Sequence, residues 1–148
     1  NPLTRAFRID KFTATILESI FMEYLSEENA IKNIPVLSLI TKDLDKIEEN
    51  AKILYEKLSV LNKVAEIKIE NTLSQIGGGS LPAERLKSKC ITIKPLNITT
   101  AKLEEELRLN ENPIVARIEQ DKLILDIRTI LEDEIDIVAN KLISILNF

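Results

Sequence analysis

The apolar residues change their spacing in mid-chain, and that change limits the folds open to this sequence more than any other feature. From Leu44 through Ile47, Ala51, Leu54, Leu58 and Leu61 they recur every three or four residues, which lines one face of a helix. From Val64 to Glu70 the period drops to two, with Ala65, Ile67 and Ile69 on one side and Glu66 and Lys68 on the other, as in a half-exposed strand. Neighbouring segments of opposite type require an α+β or α/β fold.

The remaining segments extend this pattern. Asp10 is placed to cap a helix carrying Phe12, Ile16, Leu17, Ile20, Phe21 and Tyr24 as a core-facing stripe. Ser26 to Asn33 is polar, and Ile34-Pro35-Val36 cannot continue a regular helix. The helix bearing Leu44 to Leu61 is expected to begin near Thr41, with Asp43 and Asp45 in its first turn, where the helix dipole favours negative charge. Asn71 to Lys89 reads as a long loop holding all three glycines, Gly77-Gly78-Gly79, followed by Ser80-Leu81-Pro82. Cys90 to Lys94 is a second strand, stopped by Pro95. Thr99 or Thr100 caps a helix through about Leu109, and Asn110 to Pro113 breaks it.

Ile114–Ile118 and Lys122–Ile127 alternate on either side of Glu119-Gln120-Asp121, a hairpin whose turn lacks glycine. Ile135, Val138, Leu142 and Ile145 or Leu146 form a last amphipathic helix. The expected fold is α+β: a small, mostly antiparallel sheet covered by helices on one face and preceded by a long helix. The expected division is 1–33, a leading segment and helix, and 34–148, the α+β domain.

Composition removes several function classes. In 148 residues there are 24 acidic and 20 basic side chains, a formal charge of −4, which argues against a broad cationic face for nucleic acid. No run of about 18 apolar residues spans a bilayer, and no signal peptide is visible, so a cytoplasmic protein without a membrane partner is the expectation. The absence of histidine removes the commonest general base and most zinc ligand sets. The single cysteine, Cys90, cannot form an internal disulfide and reads as a plain buried thiol. Heavy use of Lys, Glu and Ile leans toward a hot environment, although the many asparagines weigh against it. The start at Asn1-Pro2-Leu3, without Met, reads as the interior of a larger protein, so a fragment is expected.

The residues able to carry chemistry are therefore few. Arg5 and Arg8 stand three apart, so their guanidinium forks converge on an anion if the segment is helical; otherwise they are two solvated cations. The amides of Gly77, Gly78, Gly79 and Ser80 are free of side-chain obstruction and suit an anion, but the loop matches neither a P-loop nor a dinucleotide motif, and a flexible turn explains it equally well. Arg85, Lys87 and Lys89 form a dense basic cluster, read first as solvated surface and second as a phosphate or RNA contact. Arg117 and Arg128 fall on or just after the hairpin strands, as exterior cations or as partners of a ligand carboxylate. Glu132-Asp133-Glu134 with Asp136 sits where a helix first turn favours acids, and no metal site is expected.

Five stretches resemble the C-terminal part of bacterial selenocysteine synthase, the L-seryl-tRNA(Sec) selenium transferase family. They are Leu3-Thr4-Arg5-Ala6-Phe7-Arg8-Ile9-Asp10-Lys11-Phe12-Thr13, Ile34-Pro35-Val36-Leu37, Gln75-Ile76-Gly77-Gly78-Gly79-Ser80-Leu81-Pro82, Pro113-Ile114-Val115-Ala116-Arg117-Ile118-Glu119 and Leu123-Ile124-Leu125-Asp126-Ile127-Arg128-Thr129. They recur in the family's order. Lys87-Ser88-Lys89 departs from it, because relatives more often carry Pro-Ser-Arg there, which puts a family role for Lys89 in doubt.

The resemblance implies the small C-terminal domain of a pyridoxal-phosphate enzyme of fold type I, the aspartate aminotransferase-like class. Its parent converts seryl-tRNA(Sec) to selenocysteinyl-tRNA(Sec) with selenophosphate, through an aminoacrylyl intermediate. By the same resemblance the Schiff-base lysine lies upstream, so the fragment alone is expected to be inactive. Arg5 and Arg8 match an arginine pair that holds anions such as the selenium donor, and Gly77–Ser80 lies near the same cleft. Lys89, Arg117 and Arg128 are weaker candidates. The family forms a homo-oligomeric ring of dimers and takes most of its tRNA contacts from an N-terminal domain. The stripe from Phe12 to Tyr24 is then expected to be partly exposed in this chain. The competing expectations are another pyridoxal-phosphate lyase or transferase acting on free amino acids, and a non-catalytic RNA-binding or interaction module. Against the RNA module, all six aromatic residues lie outside the expected strands.

Overall fold

A computed structural model describes residues 2–76 and 84–147. The chain divides into two compact units, Asn1–Thr41 and Lys42–Phe148.

The first unit consists of four short helices set by local signals. Helix α1 spans Pro2–Ala6. Helix α2 spans Lys11–Glu23, and the Asp10 carboxylate accepts from the Thr13 amide and hydroxyl, each at 2.9 Å. Those hydrogen bonds to the charged form, the amide's first, lower the Asp10 pKa from its ordinary 3.8. The polar stretch after α2 is itself helical: α3, Glu27–Asn33, is capped by Ser26. Ile34, extended at φ −99°, ends α3 before Pro35 opens α4, Pro35–Thr41. Proline is tolerated at that first helical position because its missing N–H would have had no partner there. The α2 stripe is not core in this chain. Phe12 is 83% exposed and Phe21 63%, and Ala30 is the buried apolar residue of the unit.

The second unit carries the core. Helix α5, Leu44–Leu58, starts three residues later than the sequence suggests, because Thr41 belongs to α4 and Asp43 is the N-cap. Strands β1 (Ala65–Gln75) and β2 (Arg85–Pro95) pair antiparallel over their whole length. The long loop expected from Asn71 to Lys89 is therefore mostly strand: five rungs, Asn71↔Lys89 to Gln75↔Arg85, extend the hairpin. Helix α6 (Thr100–Arg108), capped by Thr99, leads to β3 (Arg117–Glu119) and β4 (Lys122–Asp126). Helix α7 spans Ile135–Leu146.

The sheet order is β1-β2-β4-β3, antiparallel throughout. Ile67, Ile91, Ile93, Leu123 and Leu125 meet Ile47, Leu54, Leu58, Leu103, Leu107, Val138 and Leu142 in one cluster, so the helices cover one face. Strand geometry sends the alternate residues, Thr72, Ser74, Ser88, Cys90, Thr92, Ile124 and Asp126, to the other face. The β3–β4 turn is made without glycine at the cost of two left-handed residues, Gln120 (φ 49°) and Asp121 (φ 60°).

Candidate functional site

The distal half of the β1–β2 hairpin needs its own support. Strand β4 reaches only as far as Cys90↔Asp126 on β2, so the five outer rungs project roughly 15 Å beyond the sheet at about 3.3 Å per residue. Asp126, at the end of β4, supplies that support. Its Oδ2 accepts from Ser74 Oγ at 2.5 Å and its Oδ1 from Ser88 Oγ at 2.6 Å, one serine from each hairpin strand. Oδ1 also accepts the Arg128 amide at 3.1 Å. Both serines are buried, so the carboxylate meets hydroxyls that water does not serve.

Arg128 lies next to this carboxylate in a 3-10 turn, Ile127–Thr129, and is 7% exposed. Its Nη2 donates to the Lys87 carbonyl at 2.7 Å and its Nη1 to the Lys42 carbonyl at 3.0 Å. It is an interior guanidinium that joins β2 to the entry of α5, neither an exterior cation nor a group facing out toward a ligand. Lys89 is also not plain solvated surface. Its side chain is 21% exposed, and Nζ lies 3.3 Å from Glu48 of α5.

Arg117 spans the open face of the sheet. Nη2 donates to Thr72 Oγ1 at 2.7 Å, and Nε lies 2.8 Å from Glu119 Oε1. Beside it runs a groove of about 780 Å³ lined by Asn71, Thr72, Gln75, Arg85, Arg117 and Asp126, among others. Arg85 is exposed and makes no side-chain hydrogen bond or ion pair among the described residues.

Arg5 and Arg8 belong to the first unit. Arg5 lies in the last turn of α1, whereas Arg8 lies past its end, two residues before the Asp10 cap. Both are exposed, and neither has a side-chain partner among the described residues. Gly77, Gly78, Gly79 and Ser80 lie outside the described residues.

Two other features find structural roles. Burial, then the Glu70 and Asp126 charges, push the Cys90 thiol above its ordinary 9.0, and Sγ sits 3.6 Å from the Glu70 carbonyl, so it is a poor nucleophile. In the acidic run, Glu134 accepts from the Leu131 amide at 2.9 Å, Glu132 pairs with Lys46 at 3.5 Å and Asp136 with Lys57 at 2.7 Å. Among the described residues no three Cys, Asp or Glu side chains are grouped to hold a metal ion.

Sequence reasoning missed Asp126, Ser74 and Ser88 as a unit. The signal available was the alternation in β4, which puts Asp126 on the same face as Lys122 and Ile124, opposite to Leu123 and Leu125 in the core.

The model of the L-seryl-tRNA selenium transferase family matches residues 1–131. Among curated relatives, a protein of Alkaliphilus metalliredigens named L-seryl-tRNA(Sec) selenium transferase is 44% identical over 134 residues, covering 90% of this chain and 29% of its own length. Its namesake in Clostridium perfringens is 42% identical over 142 residues, 96% of this chain and 31% of the relative. The Clostridium botulinum protein of that name is 39% identical over 146 residues, 99% and 32% respectively. The chain thus spans about a third of the length of the curated relatives it matches.

Proposed function

The chain belongs to the L-seryl-tRNA selenium transferase family, and from that premise we propose that it forms the C-terminal part of an enzyme making selenocysteinyl-tRNA(Sec) from seryl-tRNA(Sec) and selenophosphate. The observation that carries this reading is the match over residues 1–131, which includes an exposed arginine pair with no side-chain partner among the described residues. In the proposed enzyme Arg5 and Arg8 bind anionic substrate groups. A guanidinium keeps its charge at any physiological pH and offers paired donors to phosphate-like oxygens. The proposed enzyme works in the cytoplasm as a homo-oligomer, a ring of dimers.

Pyridoxal phosphate, the cofactor implied by the family, requires a lysine amine next to a phosphate cradle. Burial lowers the Lys42 pKa from its ordinary 10.5, yet its Nζ donates to the Ile130 carbonyl at 3.1 Å, a structural contact. The described residues around Lys42 do not fit the cofactor. We assign the Schiff-base lysine and most of the cofactor site to residues beyond this chain, which on its own is then inactive.

The test is selenocysteinyl-tRNA formation by the full-length protein supplied with seryl-tRNA(Sec), selenophosphate and pyridoxal phosphate. Product is expected from the full-length protein and none from the 148-residue chain. Arg5→Ala and Arg8→Ala are each expected to lower turnover by at least about tenfold, as loss of a charge-assisted contact of ~1.4 kcal/mol does. Near-normal turnover in both variants refutes the arginine role. Turnover of free amino acids in place of charged tRNA refutes the reaction.

A further inference from the structure

We propose that the groove beside the distal β1–β2 hairpin binds the sugar-phosphate backbone of RNA, with Arg85 and Arg117 as its phosphate contacts. The inference rests on the tRNA-directed reading above and adds a second contact surface to it. Charge is the first argument. Between Asn71 and Lys89 stand Arg85, Lys87 and Lys89 against Glu84 alone, in a chain where acids outnumber bases 24 to 20; of the three, Arg85 lines the groove, and Lys89 is engaged by Glu48. A basic arm on an acidic protein confines polyanion binding to one place.

The groove's construction is the second argument. Thr72 and Glu119 take two of the five guanidinium donors of Arg117, which fixes the plane of the fork and leaves the other donors for a ligand. Arg85, which also lines the groove, has no side-chain partner among the described residues. The two acids lining the groove are already engaged: Glu119 by Arg117, and Asp126 by two serine hydroxyls and the Arg128 amide. Asn71, Thr72 and Gln75 add neutral donors and acceptors that suit ribose hydroxyls. Among the described residues no aromatic side chain lines the groove, so bases have nothing to stack on there and recognition follows the backbone rather than the sequence.

The test is titration of a fluorescein-labelled short RNA duplex with the 148-residue chain between about 50 and 200 mM salt. Binding is expected to weaken as salt rises and to be indifferent to base sequence. Arg85→Glu should weaken it about fivefold and flatten the salt slope by about one. Because Arg85 is exposed and has no side-chain partner among the described residues, this variant should keep the wild-type unfolding midpoint. Arg117→Gln should act in the same direction, and Lys141→Glu on α7 should leave binding unchanged. Absence of salt-dependent binding overturns the proposal, as does binding insensitive to Arg85→Glu. Displacement of the RNA by inorganic phosphate or polyglutamate at equal ionic strength would make the groove a small-anion or acidic-peptide site and also overturn it. The readout is binding by this chain. Lost RNA binding alongside intact selenium transfer defeats the groove alone, and failed transfer alongside intact, Arg85-dependent binding defeats only the proposed reaction.

Discussion

Replacing Asp126 with alanine is expected to release the outer hairpin while leaving the sheet standing. The carboxylate accepts three hydrogen bonds, from Ser74 Oγ, Ser88 Oγ and the Arg128 amide, and both serine side chains are buried. Hydrogen bonds to a charged acceptor contribute about 1.5–3 kcal/mol each, and buried groups left without a partner cost a similar amount. Relaxation and water entry into the groove recover part of this, so a net loss of about 3–4 kcal/mol is expected, a large share of a typical domain's 5–15 kcal/mol. The loss should also be local. Amide hydrogen exchange should accelerate at Thr72–Gln75 and Arg85–Ser88, whereas Ile91 and Ile93, paired on both sides and fully buried, stay protected. Asp126→Asn keeps one acceptor oxygen and should lose about half as much. A urea midpoint shift worth less than ~1 kcal/mol in Asp126→Ala, or equal deprotection of inner and outer rungs, would show that the carboxylate is not the anchor.

Other substitutions test other parts of the structure. Leu54→Ala, at a fully buried position of α5, should destabilise by about 2–5 kcal/mol in urea unfolding, through lost burial and the cavity left behind. Changing Gln120-Asp121 to Asn-Gly should raise stability by about 0.5–1 kcal/mol, because both turn residues are left-handed; a loss would refute that backbone geometry. The folded Cys90 pKa lies above the ordinary 9.0, so folding favours the protonated thiol. Its contribution is fully present below pH 9.0 and is lost as pH rises through the folded value, and a Cys90→Ala variant should lose less stability than the parent across that window. The two tyrosines, Tyr24 and Tyr55, fall one in each unit, so Tyr55→Phe and Tyr24→Phe proteins report the units separately. The Tyr24 signal should be lost at lower urea, because its unit buries little apolar surface of its own; coincident midpoints would contradict this.

The elements legible in the sequence were those whose burial and local chemistry agree. The stripe from Ile47 to Leu58 is a buried helix face because its period matches the helix, and Ala65 and Ile67 sit in the core because their period matches a strand; Leu61 is buried too, but in a 3-10 turn after α5. Asp10 and Thr99 cap helices because each has an acceptor oxygen within reach of the amide three residues on. Helix α3 was illegible because no apolar periodicity marks it. The Ser26 cap, the first-turn acids Glu27 and Glu28 and the last-turn Lys32 set it, a pattern of charge rather than of burial. The α2 stripe has helical period but no core to face within its own unit, since periodicity reports which residues share a face and says nothing about what covers it.

The site was less legible because its residues do different work from what their types suggest. Glycine, serine and asparagine around Gly77 signal a loop, yet on either side Ser74 and Ser88 lie in paired strands and their hydroxyls donate to Asp126. A serine in a strand looks like a loop residue until the acceptor that holds it is known, and here that acceptor is 38 to 52 residues away in the chain. Arginine at 117 and 128 gave the same signal twice. Eleven positions later in sequence, Arg128 is consumed by backbone carbonyls of the interior, whereas Arg117 keeps donors free over an open groove. The difference lies in register. Arg117 opposes Ile124 on the open face, and Arg128 follows the last strand residue into a 3-10 turn that directs it beneath β2. A positive charge near a predicted hairpin therefore becomes a site candidate only once the pairing shows which face it occupies and which carbonyls lie within its reach.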